Sequence, residues 1–98
     1  MTIQKTINGE ELIVALGGRL DTTTAPELDQ MVKESLDGVT ALTFDFSDLE
    51  YISSAGLRVL LSAQKVMNKQ GTMKITHVGE VIMEIFEVTG FADILTIE

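Results

Sequence analysis

Two adjacent hydroxyls, Ser53 and Ser54, sit in the segment Tyr51-Ile52-Ser53-Ser54-Ala55-Gly56-Leu57, where a loop runs into an apolar helix. A serine at such a junction has two uses. The plain one is an N-cap, whose side-chain oxygen accepts a backbone N–H of the first turn. Local physics taken alone favours that use for Ser54. The other use is chemical, because a hydroxyl at a helix start faces N–H groups that would stabilise a phosphate attached there. Ala55 and Gly56 are small enough to let a partner's active site approach the backbone. Ser54 also stands four residues before Arg58, at the head of a polar line formed by Arg58, Ser62, Lys65 and Lys69. That line is the one basic stripe on an acidic chain, and its plain reading is a solvated helix face.

Other chemistry lacks its parts. His77 is the single histidine and lies in a strand-to-helix turn, where a solvated or helix-capping imidazole is expected. No Gly-x-Ser-x-Gly elbow exposes a nucleophile. No Gly-x-x-x-x-Gly-Lys loop is present to cradle nucleotide phosphates, and Gly17-Gly18 is too little to replace one. The 15 acidic residues among 98 form pairs by chance, and nothing singles out an acid and a base. The chain is therefore not expected to be an enzyme. Without cysteine it has no disulfide framework and no thiolate metal site, and neither metal nor cofactor is expected.

The charge balance restricts the partners. Seven basic against 15 acidic residues leave a formal −8. Binding to a nucleic-acid backbone needs the opposite surplus, and an anionic membrane surface would repel such a chain. No apolar run approaches the ~20 residues that span a bilayer, so no membrane insertion is expected. The N-terminus lacks the basic start and apolar stretch of a signal peptide. The expected compartment is the cytoplasm.

The elements that must hold the serines follow from patterning. The length allows one domain, residues 1–98. Residues 1–7 and 11–16 read as strands joined at Asn8-Gly9, a strong hairpin signal. Gly17-Gly18-Arg19-Leu20-Asp21 breaks the pattern. Thr24-Ala25-Pro26-Glu27 starts a helix, with Thr24 as cap and Glu27 completing a capping box. Leu28, Met31, Val32 and Leu36 continue it at helical spacing until Gly38. Residues 39–46 alternate as a strand, and Ser47-Asp48-Leu49-Glu50 reads as a polar turn. A largely buried helix is expected over 55–69, a strand over 72–76, a helix over 80–89 and a last strand over 92–97. Met31, Met67 and Met83 read as core filling. The order β-β-α-β-α-β-α-β implies an α/β fold with a mixed sheet and right-handed crossovers.

Asp45-Phe46-Ser47-Asp48-Leu49, followed by Tyr51-Ile52-Ser53-Ser54-Ala55-Gly56-Leu57-Arg58-Val59-Leu60, resembles the signature of anti-sigma factor antagonists, the STAS domain family. Gly18-Arg19-Leu20-Asp21, followed by a Thr-rich turn and an Ala-led helix, is similar to the family's other marked segment, and the Thr89-Gly90-Phe91 turn before the last strand is also similar to the family. The resemblance extends over essentially the whole chain and implies a small α/β STAS domain with a partner-switching role. In such bacterial systems the unmodified antagonist binds an anti-sigma factor that is also a serine kinase, and a sigma factor is freed. The kinase then phosphorylates one serine and expels the antagonist, and a metal-dependent serine/threonine phosphatase restores it. The acceptor lies two places before the glycine, which is Ser54 here. The family often has aspartate just before the acceptor, where this chain has Ser53, so Ser53 is the second choice. Asp21, Ser53, Ser54 and Arg58 are the expected partner-binding residues, with Lys65 a further candidate. Turn chemistry explains Asp21 equally well. Other members of the family are constitutive subunits of membrane transport or signalling complexes and are never phosphorylated, which is the alternative reading. The unbound protein is expected to be a monomer.

Overall fold

The computed structural model describes residues 1–98. Its elements are β1 (Thr2–Asn8), β2 (Glu11–Leu20), α1 (Ala25–Ser35), β3 (Ala41–Ile52), α2 (Ser54–Gln70), β4 (Thr72–Thr76) and α3 (Glu80–Thr89), then a 3-10 turn over Phe91–Asp93. The strands form one mixed sheet in the order β1-β2-β3-β4. The hairpin β1–β2 is antiparallel, and β2–β3 and β3–β4 are parallel. This is the α/β architecture expected from the patterning.

Alternation decides which sheet face is covered. Leu12, Val14 and Leu16 of β2, Leu42, Phe44 and Phe46 of β3, and Met73 and Ile75 of β4 are all buried. They meet Leu28, Val32 and Leu36 from the α1 region, Leu57, Leu60, Ala63 and Met67 of α2, and Ile82 and Phe86 of α3 in one core. Phe46 links the sheet to α3 through Phe86, ring centroids 6.4 Å apart. Burying such side chains contributes about 1.5–3 kcal/mol each. Met67 is fully buried, while Met31 and Met83 pack at the edge of the core.

Two expected breaks are not breaks. Gly17-Gly18 does not end β2, and Ser47-Asp48-Leu49-Glu50 is not a turn; both segments run on as paired strand. The pairing Ala15↔Asp45 gives way to Gly17↔Asp48, and Gly18↔Leu49 gives way to Arg19↔Tyr51. So β3 carries extra residues in two bulges, which bend a strand without ending it. The glycines permit this. Gly18 has φ +85, and a Cβ on Gly17 would lie 2.6 Å from Thr2 Oγ1. Ser47 falls in the first bulge, and its N–H bonds instead to Asp45 Oδ1 at 3.0 Å.

The start of α1 also differs from expectation. Thr24 is at the N-cap, but its side chain makes no cap bond and no capping box forms. Thr24 Oγ1 instead accepts from Asp21 N at 2.8 Å and donates to Arg19 O at 2.8 Å. The hydroxyl is drawn back into the preceding turn. The last strand keeps its place beside β4 but shrinks to one parallel bridge, Ile97↔Ile75. Turn bonds from Asp93, Ile94 and Leu95 back to Gly90 and Phe91 occupy the backbone that a longer strand would need.

Candidate functional site

The site lies where β2 and β3 end together and α2 begins. Ser53 N donates to Leu20 O at 2.9 Å, which fixes the entry to α2 against the end of β2. Ser53 is the N-cap, with φ −97° and ψ 175°, and its side chain accepts from Gly56 N at 3.4 Å. Ser54 is the first residue of α2 and is exposed. The capping role that local physics gave to Ser54 therefore belongs to Ser53. One hydroxyl holds the helix and its neighbour points to solvent.

This division has a measurable consequence. Ser53→Ala removes a long cap bond and is expected to lower stability by about 0.5–1 kcal/mol. Urea unfolding of the variant measures it. A change indistinguishable from zero would show that Ser53 does not cap.

Gly56 is small for an internal reason. It is buried, and a Cβ there would lie 2.7 Å from Leu20 Cγ and 2.8 Å from Ile52 Cγ1. Its size lets the first turn of α2 sit on the strand ends, and it is not open to a partner. Ala55 is the small residue that remains half-exposed.

Asp21 follows Leu20 and so adjoins the start of α2. Its Oδ1 accepts from Thr23 Oγ1 at 2.7 Å, Thr23 N at 3.0 Å and Thr24 N at 3.2 Å. The Thr23 hydroxyl, followed by these backbone donors, holds the Asp21 carboxyl below its ordinary value. Turn chemistry thus accounts for one carboxylate oxygen. The other, Oδ2, lies 3.8 Å from Arg19 Nε. The Arg19 guanidinium in turn sits 4.4 Å from the Tyr51 ring centroid, a cation–π contact. Arg19 and Tyr51 were not among the expected residues. Their pairing is visible only once the two strands are known to run past the glycines.

Arg58 lies one turn into α2 and is exposed. The ion pairs of the protein use Arg19, Lys33, Lys74 and His77 and leave Arg58 without a partner. Arg58 lines a cleft of about 350 Å³ between α1 and α2, with Thr22, Pro26, Asp29, Lys33 and Ala55 among its walls. Asp21, Ser53, Ser54 and Arg58 therefore gather around the start of α2. Lys65 is exposed further along the helix and does not line this cleft.

Asp45 belongs to a different place. It pairs with Thr76 across the sheet, and its Oδ1 lies 3.2 Å from His77 Nδ1. His77 is exposed and neither caps α3 nor reaches the serines; Gly79 is the N-cap. The Ser47 N–H bond, chief among several contacts, holds the Asp45 carboxyl below its ordinary value of 3.8. A depressed carboxylate contributes stability that is present above that value and lost as pH falls through the lower, folded one. Urea unfolding between about pH 5 and pH 2 is expected to show a steeper acid loss for wild type than for Asp45→Asn. Equal slopes would contradict the role of Asp45.

Fold and site together define a small α/β module that offers an exposed serine at a helix start beside a carboxylate and an unpaired arginine. The STAS domain family model matches residues 2–98, and the chain belongs to that family. The anti-sigma-B factor antagonist of Bacillus subtilis (strain 168) is 29% identical over 91 residues, covering 92% of this chain and 84% of that protein. An anti-sigma factor antagonist from Mycobacterium paratuberculosis has a similar structure, with a TM-score of 0.88 at 24% identity over 98% of this chain and 83% of that one. The Bacillus cell fate determinant SpoIIAA in its phosphorylated form gives 0.78 at 16% identity, over 99% and 91% of the two chains.

Proposed function

We propose that this protein is an anti-sigma factor antagonist switched by phosphorylation of Ser54. The unmodified chain, residues 1–98 acting as one STAS domain and a monomer when free, binds an anti-sigma factor in the cytoplasm. That partner is also a serine kinase, and binding releases a sigma factor. Phosphorylation of Ser54 expels the antagonist, and a serine/threonine phosphatase restores it. The antagonist itself catalyses nothing.

The observation that carries this reading is the division of labour between the serines. Ser53 is held by its cap bond, whereas Ser54 is exposed at the first helical position. A kinase reaching this edge meets Ser54 as the more exposed of the two hydroxyls. The names of the relatives support the anti-sigma role.

The energetics suit a switch without refolding. A phosphate adds about −1.5 to −2 charge at neutral pH. On the free protein the N–H groups of the first turn of α2 stabilise it. In an interface packed on Ser54 the same charge must be desolvated or find a cation. Failing that it costs several kcal/mol, and ~1.4 kcal/mol is already tenfold in affinity. Asp21 adds local negative potential on this edge, and Arg58 is free to meet an acidic group of the partner.

Wild type and Ser54→Asp, used as paired baits in native-host lysate, test the proposal. Wild type is expected to capture an ATP-binding serine kinase or anti-sigma factor that the Asp bait does not. Equal capture of the same transport subunits by both baits would contradict it and favour a constitutive STAS subunit.

A further inference from the structure

The outward side of α3 is unusual for an exposed helix. Val81 and Val88 are 61% and 81% exposed, and Ile85 between them is half-buried. The spacing i, i+4, i+7 puts all three on one strip. With Glu84 and Thr89 they line an open groove of about 260 Å³. Thr89 Oγ1 is already satisfied by donating to Ile85 O at 2.7 Å, so it makes no polar demand there. Ile82 and Phe86, on the neighbouring face of the helix, anchor it in the core. Ile85 packs partly against that core, whereas Val81 and Val88 are left to solvent.

A row of carboxylates runs beside it. Glu80, Glu84 and Glu87 share the adjoining side of the helix, and all are exposed. None of them enters an ion pair, and α3 contains no lysine or arginine. An apolar ledge edged by unpaired negative charge selects its occupant. A second copy would set one glutamate row near another, on chains that each carry a formal −8. Like charges brought together across an interface cost several kcal/mol.

We propose that the Val81–Ile85–Val88 ledge docks a basic amphipathic helix of a protein partner. Apolar residues at i and i+4 of that helix lie on the ledge, and lysines or arginines along one edge meet Glu80, Glu84 and Glu87. This surface is separate from the Ser54 site and does not depend on the switch.

NMR titration of the isotope-labelled protein tests it with two synthetic amphipathic peptides of about 18 residues, long enough to hold a helix. One is built of leucine and lysine, the other of leucine and glutamate. The lysine peptide is expected to shift amides of residues 80–89 and the glutamate peptide to leave them in place. Val81→Ser with Val88→Ser is expected to weaken binding at least ~10-fold with thermal unfolding unchanged. Glu80→Gln, Glu84→Gln and Glu87→Gln together are expected to weaken it and flatten its salt dependence. The proposal is overturned by shifts spread over the whole acidic surface or by equal binding of both peptides. It is overturned equally by self-association of the protein alone that the valine variant abolishes.

Discussion

Ser54→Asp is expected to lower affinity for the anti-sigma factor at least ~100-fold, which is ~2.7 kcal/mol, while Ser54→Ala stays within about threefold of wild type. The reason is desolvation. An aspartate on this exposed position carries a charge that an interface packed against α2 must strip of water. The same aspartate is benign in the free protein, because a carboxylate in the first turn of a helix is favourable. Thermal unfolding of the variant is therefore expected to be unchanged or slightly raised. Calorimetric titration against the captured partner measures the first effect and a melt measures the second. Weak binding together with a lowered melt would mean that the variant had damaged the fold.

Gly71→Ala is expected to cost about 3 kcal/mol, the upper end of the overpacking range, or roughly 12–24 °C in Tm for a domain of this size. Gly71 follows α2 directly, and a Cβ there would penetrate the Thr40 carbonyl oxygen and lie 2.6 Å from the Thr40 carbonyl carbon. Thr40 cannot retreat, because its carbonyl accepts Thr72 N at 2.9 Å as β3 and β4 begin their pairing. Gln70 ties the same corner to the loop between α1 and β3, donating to Leu36 O and Val39 O. The control is Gly79→Ala, where nothing lies within 4 Å of the added carbon and only the poorer N-cap of α3 is felt, a loss of no more than about 1 kcal/mol. Comparable losses in both variants would show that the Thr40 contact is not the cause.

The elements with strong periodicity were legible in the chain. The Asn8-Gly9 hairpin, β4 and α3 lie where alternation or helical spacing puts them, because each buries one face against a single core. The errors cluster where glycine was read as punctuation. Gly17-Gly18 signals a stop only if the strand is considered alone. Against a parallel neighbour with extra residues the same glycines allow bulges, and the strands continue to Leu20 and Ile52. That misreading hid Arg19 beside Tyr51. Gly56 was misread in the opposite sense, as an opening for a partner, when Leu20 and Ile52 fill the space beside it. Both are long-range facts that a local window does not contain. The choice between Ser53 and Ser54 as cap is subtler. Both are serines and suit a cap equally, and the backbone bond from Ser53 N to Leu20 O selects which of them lies outside the helix.

In the proposed switch Ser54 is modified, and its modification ends the complex. The most direct measurement incubates the purified protein with its captured kinase and ATP, maps phosphate by mass spectrometry, and follows the complex by size-exclusion chromatography. One phosphate on Ser54, none on Ser53, and dissociation in step with its appearance is the expected result. Phosphate on Ser53, no phosphate at all, or a Ser54-phosphorylated protein that stays bound would contradict the account.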